Sequence, residues 1–453
     1  MTESSKVNVS EVIERNRVSG LQVLACVLSG LAVALSGYDE QVMSFVTPTL
    51  AKLWGIPQGS FSAALSSGLF GLMVGALISG PIADLIGRKK VIVISLVWLG
   101  VFSLFTVVAG NLSELVVLRF ITGFGLGGVM PNAIALTSEY CPERVRRTIV
   151  SVMFVGFPVG AIVCSLLSSH MVPTLGWTSV FYIGSLLPLV AAIVLMFLLP
   201  ESIRFLVTKG IHFEKQLAIL RRIEPKGQWK AGDRFFVTEE ALKGFTVKNL
   251  FATGYGKNTI LLWFVFLINL MVLDFLTGWM TTVLKNVGFP LGEAIIATAF
   301  LQGGGAVGAI LLGYLSDRLN IKRILVITFL LCTVSLGLFG MVDSVAMVLV
   351  MTFIAGFFVV GSQTLINTLA SITYPTSTRS TGVSWAFGVG RIGSIIGPII
   401  GGGMISMNWS IKEMFLCAAV PTILAAIAVT FMRIRPNKAE SRPVQQASEP
   451  SVL

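Results

Sequence analysis

The chain alternates between long apolar segments and short polar stretches, and this pattern predicts its architecture. Twelve segments are apolar over about 20 residues, the length that an α-helix needs to cross a bilayer. Six precede a charged central stretch, approximately at Leu21–Thr47, Phe61–Ile82, Val91–Val108, Leu115–Thr137, Ile149–Ser168 and Ser179–Leu199. Six follow it, approximately at Ile260–Leu284, Ala294–Tyr314, Ile324–Met341, Val345–Leu365, Val383–Ile405 and Met414–Met432. The pattern therefore predicts an all-α integral membrane protein with twelve transmembrane helices in two six-helix bundles.

The polar stretches divide the chain into five parts. These are an N-terminal tail, a first bundle, a linker, a second bundle and a C-terminal tail, at residues 1–19, 20–200, 201–257, 258–432 and 433–453. The first tail has no apolar core and no cleavage site, so it is interpreted as a cytoplasmic tail and not as a signal peptide. The linker is charged and contains an amphipathic stretch, Phe213–Ile223, and the Pro- and Ser-containing last tail is predicted to be disordered.

A loop motif occurs twice at a constant spacing of 233 residues. Gly80-Pro81-Ile82-Ala83-Asp84 runs into Arg88-Lys89-Lys90, and Gly313-Tyr314-Leu315-Ser316-Asp317 runs into Lys322-Arg323. The same spacing relates Pro142 to Pro375, Arg146 to Arg379, and Gly160 to Gly393. A repeat that keeps its register across several apolar segments indicates two homologous, pseudo-symmetric bundles with a site between them, which is the architecture of a secondary transporter.

Composition and charge agree with a membrane protein. The chain is 54% hydrophobic and 12% charged, with a mean hydropathy of +0.85, whereas a soluble domain has roughly twice that charged fraction. Of the 33 Lys and Arg, three lie in one set of alternate loops, two lie within spans, and 28 lie in the opposite loops, the linker and the tails. Under the positive-inside rule both termini and the linker are cytoplasmic, so the net charge of +11 indicates orientation and not nucleic-acid binding.

Motifs for enzymatic chemistry do not occur in the sequence. The five cysteines are scattered without CxxC spacing, so neither disulfides nor a metal site is indicated. The two His lie in opposite loops, acids and nucleophiles form no cluster, and no segment reads GxxxxGK[ST]. We therefore predict a transporter without metal or cofactor, and neither an enzyme nor an ATP-driven pump. A sensor that binds without transporting would be expected to carry an added signalling domain, for which the tails are too short.

The repeated loop is interpreted as a gate on the cytoplasmic side. Glycine there allows close helix approach, and Asp84 and Asp317 are predicted at helix ends beside cations. A carboxylate in this position can cap a neighbouring helix N-terminus and pair with Arg, which latches this side shut during part of a cycle. The alternative is ordinary membrane-surface charge. The residues assigned to the gate are Gly80, Asp84, Arg88, Asp317, Arg318, Glu139 and Arg144.

These loops resemble those of the major facilitator superfamily over roughly Leu21 to Met432. Gly80 to Lys90 is similar to the signature loop after helix 2 of that superfamily, with a degenerate second copy after helix 8. Arg119-Phe120-Ile121-Thr122-Gly123-Phe124-Gly125 is similar to its helix 4 signature, and Pro200-Glu201-Ser202-Ile203-Arg204-Phe205 to the signature that closes helix 6. The resemblance implies twelve helices that operate by alternating access.

A narrower resemblance is to the aromatic acid:H⁺ symporter family. It rests on Gly127-Gly128-Val129-Met130-Pro131-Asn132-Ala133-Ile134, Gly156-Phe157-Pro158-Val159-Gly160, Gly361-Ser362-Gln363 and Gly390-Arg391-Ile392-Gly393. It implies a bacterial inner-membrane importer that takes up aromatic carboxylates with protons for catabolism and uses the proton gradient as its energy source. A monomer is predicted as the working unit, because the site forms inside one chain. Helix 1 departs from the family's Asp-Gly-x-Asp pattern, because it reads Ser36-Gly37-Tyr38-Asp39-Glu40, and helix 7 carries an unexpected Asp274.

Charges within the predicted spans mark a candidate site, because an unpaired charge in a bilayer costs several kcal/mol. Asp39 and Arg119 are predicted at similar depth in the outer half, where they form either a switchable ion pair for proton coupling or a permanent salt bridge. Arg391 is about ten residues, or about 15 Å, into its span. Its guanidinium suits bidentate binding of a substrate carboxylate, and the alternative is a neighbouring acid partner such as Asp274.

The remaining candidates are polar and aromatic side chains within spans. Asp274 either carries a coupling proton or only neutralises Arg391. Glu40 is also assigned to proton coupling and points about 100° away from Asp39, so one of the two is expected to face a cavity. The candidate substrate-binding side chains are Arg391, Tyr38, Gln302, Gln363, Asn367, Trp385 and Trp279. The amides either bind a ring hydroxyl or join helices, and the aromatic rings either stack on the substrate or pack in the bundle.

We therefore predict a proton-coupled symporter for a small organic anion. Within this class we predict an aromatic carboxylate, such as a hydroxybenzoate. The alternative is a proton-driven efflux antiporter for drugs or other small molecules on the same fold. An Arg near the midplane favours anions and therefore the symporter.

Overall fold

Twelve helical spans make up most of the structure, as predicted. A computed structural model describes residues 6–225, 227, 229, 234–237, 250–251, 256–339, 344–374 and 376–432, without the side chains of residues 147, 317 and 376–381. Spans 1–6 contain the helices Gly20–Trp54, Ser62–Ile86, Arg88–Phe105, Leu112–Leu126 with Val129–Tyr140, Glu143–Phe154 with Gly156–Leu175, and Thr178–Leu198. Spans 7–12 are the helices Gly256–Asn286, Leu291–Arg318, Ile321–Phe339, Val345–Thr373, Thr376–Ser406 and Ile411–Phe431. Short 3₁₀ turns, Gln58–Phe61 and Thr106–Val108, adjoin spans 2 and 3.

Several helix boundaries differ from the predicted ones. Span 1 does not stop before Pro48 but continues through it to Trp54, where Gly55 ends the helix in the left-handed conformation. Proline is tolerated inside membrane helices because neighbouring groups compensate for the missing backbone hydrogen bond. Span 4 is two helices interrupted at Gly127 and Gly128, and span 5 is interrupted at Val155. These interruptions divide two spans that were predicted as single helices.

The two bundles pack in the same way internally, which confirms the repeat in three dimensions. Glycines of spans 2 and 8 lie so close to carbonyl groups of spans 4 and 10 that an added Cβ would clash with them. The matched pairs are Gly71–Phe120 and Gly75–Phe124 in the first bundle, and Gly304–Phe353 and Gly308–Phe357 in the second. Each pair of the first bundle corresponds to a pair of the second bundle 233 residues later. Small residues at helix contacts are typical of membrane bundles, because dispersion contacts between close backbones hold the helices together there.

The apolar cores show which side of the molecule is closed. Spans alternate in direction, so spans 1 and 7 begin on one side, here called the terminus side, and end on the other, the far side. On the far side one continuous core contains residues of both bundles, including Phe45, Phe61, Trp279 and Met404. On the terminus side each bundle has its own separate core. The molecule is therefore sealed on the far side and open between the bundles on the terminus side.

Polar and glycine contacts reinforce the far-side seal. Gln58 exchanges two amide hydrogen bonds with Asn286, at 2.7 and 3.1 Å. Gly59 and Gly402 meet across the bundles so closely that neither has room for a Cβ. Between described residues, the only other hydrogen bond that joins the bundles runs from the Ser66 hydroxyl to the Ile395 carbonyl oxygen, at 2.8 Å.

The N-terminal segment packs with the linker on the first bundle. Strand β1 (Lys6–Asn8) pairs in parallel with β2 (Arg234–Phe236), and the helix Val9–Arg15 follows β1. Arg15 forms a 2.6 Å salt bridge with Glu224, at the end of the predicted amphipathic helix Phe213–Ile223. A local sequence pattern does not reveal this pairing, because it joins residues more than 200 positions apart. The predicted C-terminal tail, residues 433–453, lies outside the described residues.

Candidate functional site

Five charged side chains lie more than six residues from either end of their spans in the described part of the chain. They are Asp39 and Glu40 in span 1, Arg119 in span 4, Asp274 in span 7 and Arg391 in span 11. Spans 1 and 4 belong to the first bundle and spans 7 and 11 to the second. The charges therefore come from both bundles, as expected of a site between them.

The ion pair predicted between Asp39 and Arg119 is present. Arg119 Nη2 lies 3.0 Å from Asp39 Oδ2, and the two side chains are 4% and 1% exposed. The same nitrogen also donates to the Asp39 backbone carbonyl at 3.3 Å, and Ser103 Oγ donates to Asp39 Oδ1 at 3.5 Å. Arg119 Nε and Nη1 are buried without a hydrogen-bond partner among the described residues. Arg119 is therefore incompletely satisfied by the protein and retains donors for another group.

A small cavity lies beside this ion pair, between the bundles. It has a volume of about 40 Å³ and is lined by Glu40, Gln41, Arg119 and Asp274, among others. One water needs roughly 10–15 Å³, and an apolar cavity that binds benzene has about 150 Å³. The cavity thus holds a few water-sized groups but not a ring. Glu40 faces the cavity and Asp39 faces Arg119, as the 100° separation of neighbouring helix positions predicts.

The cavity lies where the two halves of the repeat meet. Gln41 and Asp274 both line it and are 233 residues apart, and so are Ser44 and Thr277. Gln41 Oε1 and Asp274 Oδ2 are buried without a hydrogen-bond partner among the described residues. Gln41 was not among the predicted site residues, although its repeat relation to Asp274 was a usable signal. Two residues that each have an unsatisfied acceptor oxygen thus line one cavity from opposite bundles.

Arg391 lies on the same face of span 11 as the cavity. It is seven residues, or two turns and about 10 Å, from the cavity-lining Pro398, on the side toward the terminus-side opening. Arg391 is half-buried and forms no hydrogen bond or salt bridge with any described residue. Glu40 and Asp274 are both within electrostatic range of Arg391, but neither forms a salt bridge with it. The guanidinium is therefore available at the entrance to the cavity.

The predicted amides of span 10 form a chain with Asn269 of span 7. Asn269 Nδ2 donates to Gln363 Oε1 at 2.8 Å, and Gln363 Nε2 donates to Asn367 Oδ1 at 3.0 Å. Ser362 Oγ donates to Asn269 Oδ1 at 2.7 Å. These contacts favour the helix-joining alternative for Gln363 in this conformation. Gln302 is buried in span 8 and does not line the cavity.

None of the three predicted aromatic side chains lines the cavity. Tyr38 is buried against span 6, and its hydroxyl donates to the Val180 carbonyl oxygen at 3.2 Å. Trp279 is fully buried, with Nε1 donating to the Pro398 carbonyl oxygen at 2.9 Å. Trp385 stacks on Trp263 and lies about 120° around the helix from Arg391. None of them is placed to stack on a ring at the cavity in this conformation.

The gate residues of the first bundle form a network on the terminus side. Arg88 pairs with Asp84 at 2.7 Å and with Glu139 at 3.3 Å, and the Ser202 hydroxyl donates to the Glu139 carboxylate. The backbone N–H at the start of span 3, on Lys89, donates to Glu201 Oε1 at 3.1 Å. Asp84 had been expected to cap a neighbouring helix, but the carboxylate that caps this helix is Glu201.

Other predicted gate residues have different partners. Arg144 donates to the backbone carbonyls of Glu14 and Asn16, at 3.0 and 2.6 Å, so it holds the N-terminal segment instead of joining Arg88. Arg318 lies over the Tyr314 ring, 4.6 Å from its centroid. A Cβ on Gly80 would meet nothing within 4 Å, so the expected close helix approach does not occur in this open conformation. The side chain of Asp317 lies outside the described residues.

Two pseudo-symmetric six-helix bundles with a charged site between them define a secondary transporter. Comparison with known proteins agrees, because the family model described as Major Facilitator Superfamily matches residues 29–371 and 262–453. The chain belongs to this superfamily, and it is a multi-pass membrane transporter and not an enzyme.

Similar proteins support both the narrower resemblance and the fold. The chain is 37% identical to a gallate transporter of Pseudomonas putida over 96% of this chain and 98% of that protein. It is also 37% identical to a 4-hydroxybenzoate transporter of Pseudomonas putida, over 93% and 95% of the two chains. The crystal structure of a D-xylose–proton symporter shares the fold, with a TM-score of 0.71, 17% identity and 91% and 98% coverage.

Proposed function

We propose that this protein imports an aromatic carboxylate together with protons by alternating access. The observation that carries the proposal is Arg391, an unpaired guanidinium within a membrane span, on the face that lines the space between the bundles. An unpaired cation at this depth is unfavourable unless an anion or water satisfies it, and a carboxylate matches its planar fork of donors. The gallate and 4-hydroxybenzoate transporters among its relatives support an aromatic substrate.

Proton coupling is assigned to the carboxyl groups around the cavity. Protonation of Asp39 would remove the charge that holds Arg119 Nη2, so the ion pair would open and Arg119 would be free to turn toward the cavity. Glu40 and Asp274 line the same cavity and supply further proton-binding groups. The energy source is the proton gradient, and the mechanism requires no cofactor.

The orientation follows from the distribution of cations. With 28 of the 33 Lys and Arg on the terminus side, in the linker or in the tails, that side is cytoplasmic. The structure then corresponds to the conformation open to the cytoplasm, from which an imported substrate leaves. The membrane is the bacterial inner membrane, and the working unit is a monomer because both halves of the site belong to one chain.

The gate network changes partners between the two conformations. Arg88, Asp84 and Glu139 pair within the first bundle while the terminus side is open. Closing this side would bring the second copy of the loop, which contains Arg318, toward the first. Arg318 then exchanges its contact with the Tyr314 ring for contacts with the other bundle, and the latch closes.

Substrate-triggered proton movement in proteoliposomes tests the proposed function. Purified protein would be assayed with aromatic and aliphatic carboxylates while the external pH is recorded. External alkalinisation upon addition of hydroxybenzoates is the expected result, because protons enter with the anion. If no carboxylate changes the external pH and cationic drugs do, the result would contradict symport and support the efflux antiporter.

Replacing Asp39 by Asn is expected to uncouple transport from the proton gradient. The amide cannot bind and release a proton, but it is close in size and still accepts a hydrogen bond from Arg119. Exchange of labelled for unlabelled substrate should continue, whereas the gradient-driven accumulation ratio should fall to about one. The control is Glu413→Gln, which preserves an exposed capping box at the start of span 12. Persistent accumulation in Asp39→Asn would exclude Asp39 as the coupling group.

A further inference from the structure

The small cavity has the chemistry of a pocket for a hydroxyl group. Its lining residues include Gln41 and Asp274, which are only 3% and 7% exposed. Each has one buried oxygen, Gln41 Oε1 and Asp274 Oδ2, without a hydrogen bond within 3.5 Å among the described residues, although the Ser394 hydroxyl lies near the Asp274 carboxyl group. The lining also includes Arg119, whose Nη1 is a buried donor without a described partner. A hydroxyl group both donates and accepts hydrogen bonds, so it satisfies an acceptor and a donor at once.

The size and position of the cavity define how an aromatic acid would occupy it. At about 40 Å³ it admits water-sized groups and excludes a ring. In this conformation the far side is sealed, so the cavity is the closed end of the path from the terminus side. Arg391 lies about 10 Å nearer the opening. A molecule held by its carboxylate at Arg391 would therefore point the opposite edge of its ring at the cavity.

We infer that Gln41, Asp274 and Arg119 form a subsite for a ring hydroxyl remote from the carboxylate, and that this subsite selects hydroxylated benzoates over benzoate itself. The inference rests on the proposed function, because it assumes that Arg391 holds the carboxylate. A para hydroxyl lies across the ring from the carboxylate and reaches the cavity, whereas an ortho hydroxyl stays beside Arg391. Gln41 and Asp274 belong to different bundles, so the hydroxyl contacts both halves of the transporter at the end of the path.

Equilibrium binding to the purified protein tests the inference without requiring proton coupling. The probes are 4-hydroxybenzoate, 2-hydroxybenzoate, benzoate and 4-fluorobenzoate, whose fluorine is close in size to a hydroxyl but cannot donate. A ligand that lacks the hydroxyl leaves the buried polar groups of the subsite unsatisfied. We expect 4-hydroxybenzoate to bind roughly 10- to 100-fold more tightly than each of the other three. Equal affinity of 4-hydroxybenzoate and 4-fluorobenzoate would overturn the subsite.

Variants assign the preference to the cavity. In Gln41→Leu the ratio of the dissociation constants of 4-fluorobenzoate and 4-hydroxybenzoate should fall at least about threefold, since one acceptor is lost. Asp274→Leu, which likewise has no side-chain acceptor, is a second variant with the same expectation. The control is Gln22→Leu in the same span, whose amide already donates to the Tyr140 carbonyl oxygen at 2.6 Å, outside the cavity, and it should keep the wild-type ratio. An unchanged ratio in both cavity variants would refute the assignment. If no benzoate binds at all, the proposed function fails and this inference fails with it.

Discussion

Replacing Arg391 by Ala is expected to abolish uptake and to weaken substrate binding by about 100-fold or more. The truncation removes the cation that holds the carboxylate, and loss of one partner of a buried charge pair costs roughly 2–5 kcal/mol. Arg391→Lys keeps the charge but not the bidentate geometry, so an intermediate loss is expected. Binding of a radiolabelled hydroxybenzoate to purified protein, with uptake in proteoliposomes, measures both effects.

Stability separates this role from a structural one. Arg391 has no hydrogen bond or salt bridge with a described residue, so removing an unpaired charge from a membrane span should leave the melting temperature unchanged or raise it. Arg119→Ala is the contrasting variant, because it leaves the buried Asp39 without its 3.0 Å partner and should destabilise the protein by about 3–5 kcal/mol. Normal transport by Arg391→Ala would refute the carboxylate assignment.

A Gly402→Val substitution is expected to prevent the far side from closing. Even a single Cβ on Gly402 would lie 2.5 Å from Ser62 Cβ and 2.6 Å from the Gly59 carbonyl oxygen. Because these contacts involve backbone and short side chains, the bundles must separate on the far side to make room. The transporter would then remain open to that side. If the substitution disfavours the closed conformation by 1.4 kcal/mol, the fraction of closed molecules falls about tenfold. Steady uptake should therefore fall by more than about tenfold.

Cross-linking across the far-side seal measures this opening. Gln58 and Asn286 exchange hydrogen bonds in the closed arrangement, so cysteines introduced at both positions should be joined readily by a short bifunctional thiol reagent in the otherwise unchanged protein. The yield should drop sharply when Gly402→Val is added. Gly403→Val is the matched control, because a Cβ on Gly403 meets nothing within 4 Å. Equal cross-linking in both variants would show that the glycine contact does not control closure.

The architecture was accessible from the sequence because membrane spans and repeats leave regular signals. Apolar length predicted the twelve spans, and the 233-residue spacing predicted bundles whose glycine contacts do recur at that interval. The helix through Pro48 and the interruption at Gly127 and Gly128 were not predicted. Both depend on what neighbouring helices provide, which a local pattern does not contain. The pairing of β1 with β2 was missed for the same reason, since its partners are remote in the chain.

The candidate site was predicted in part. The Asp39–Arg119 pair followed from depth along two helices, and the structure has it at 3.0 Å. The orientation of aromatic side chains did not follow, because a membrane helix is apolar on all sides and its pattern does not reveal which face meets the site. Tyr38 and Trp279 therefore appeared as ring-stacking candidates although both are buried in helix contacts. The cap provided by Glu201 required knowledge of which helix end lies beside it.

The distribution of apolar cores has a consequence for how the protein tolerates change. Each terminus-side core belongs to one bundle and survives any rocking of the bundles, whereas the far-side core includes contacts that must break and re-form in every cycle. Substitutions in the two separate cores should therefore appear as losses of heat resistance and yield. Substitutions where the bundles share a core should instead alter turnover while leaving the protein abundant. Thermal stability and turnover rate are thus controlled by residues on opposite sides of the same molecule.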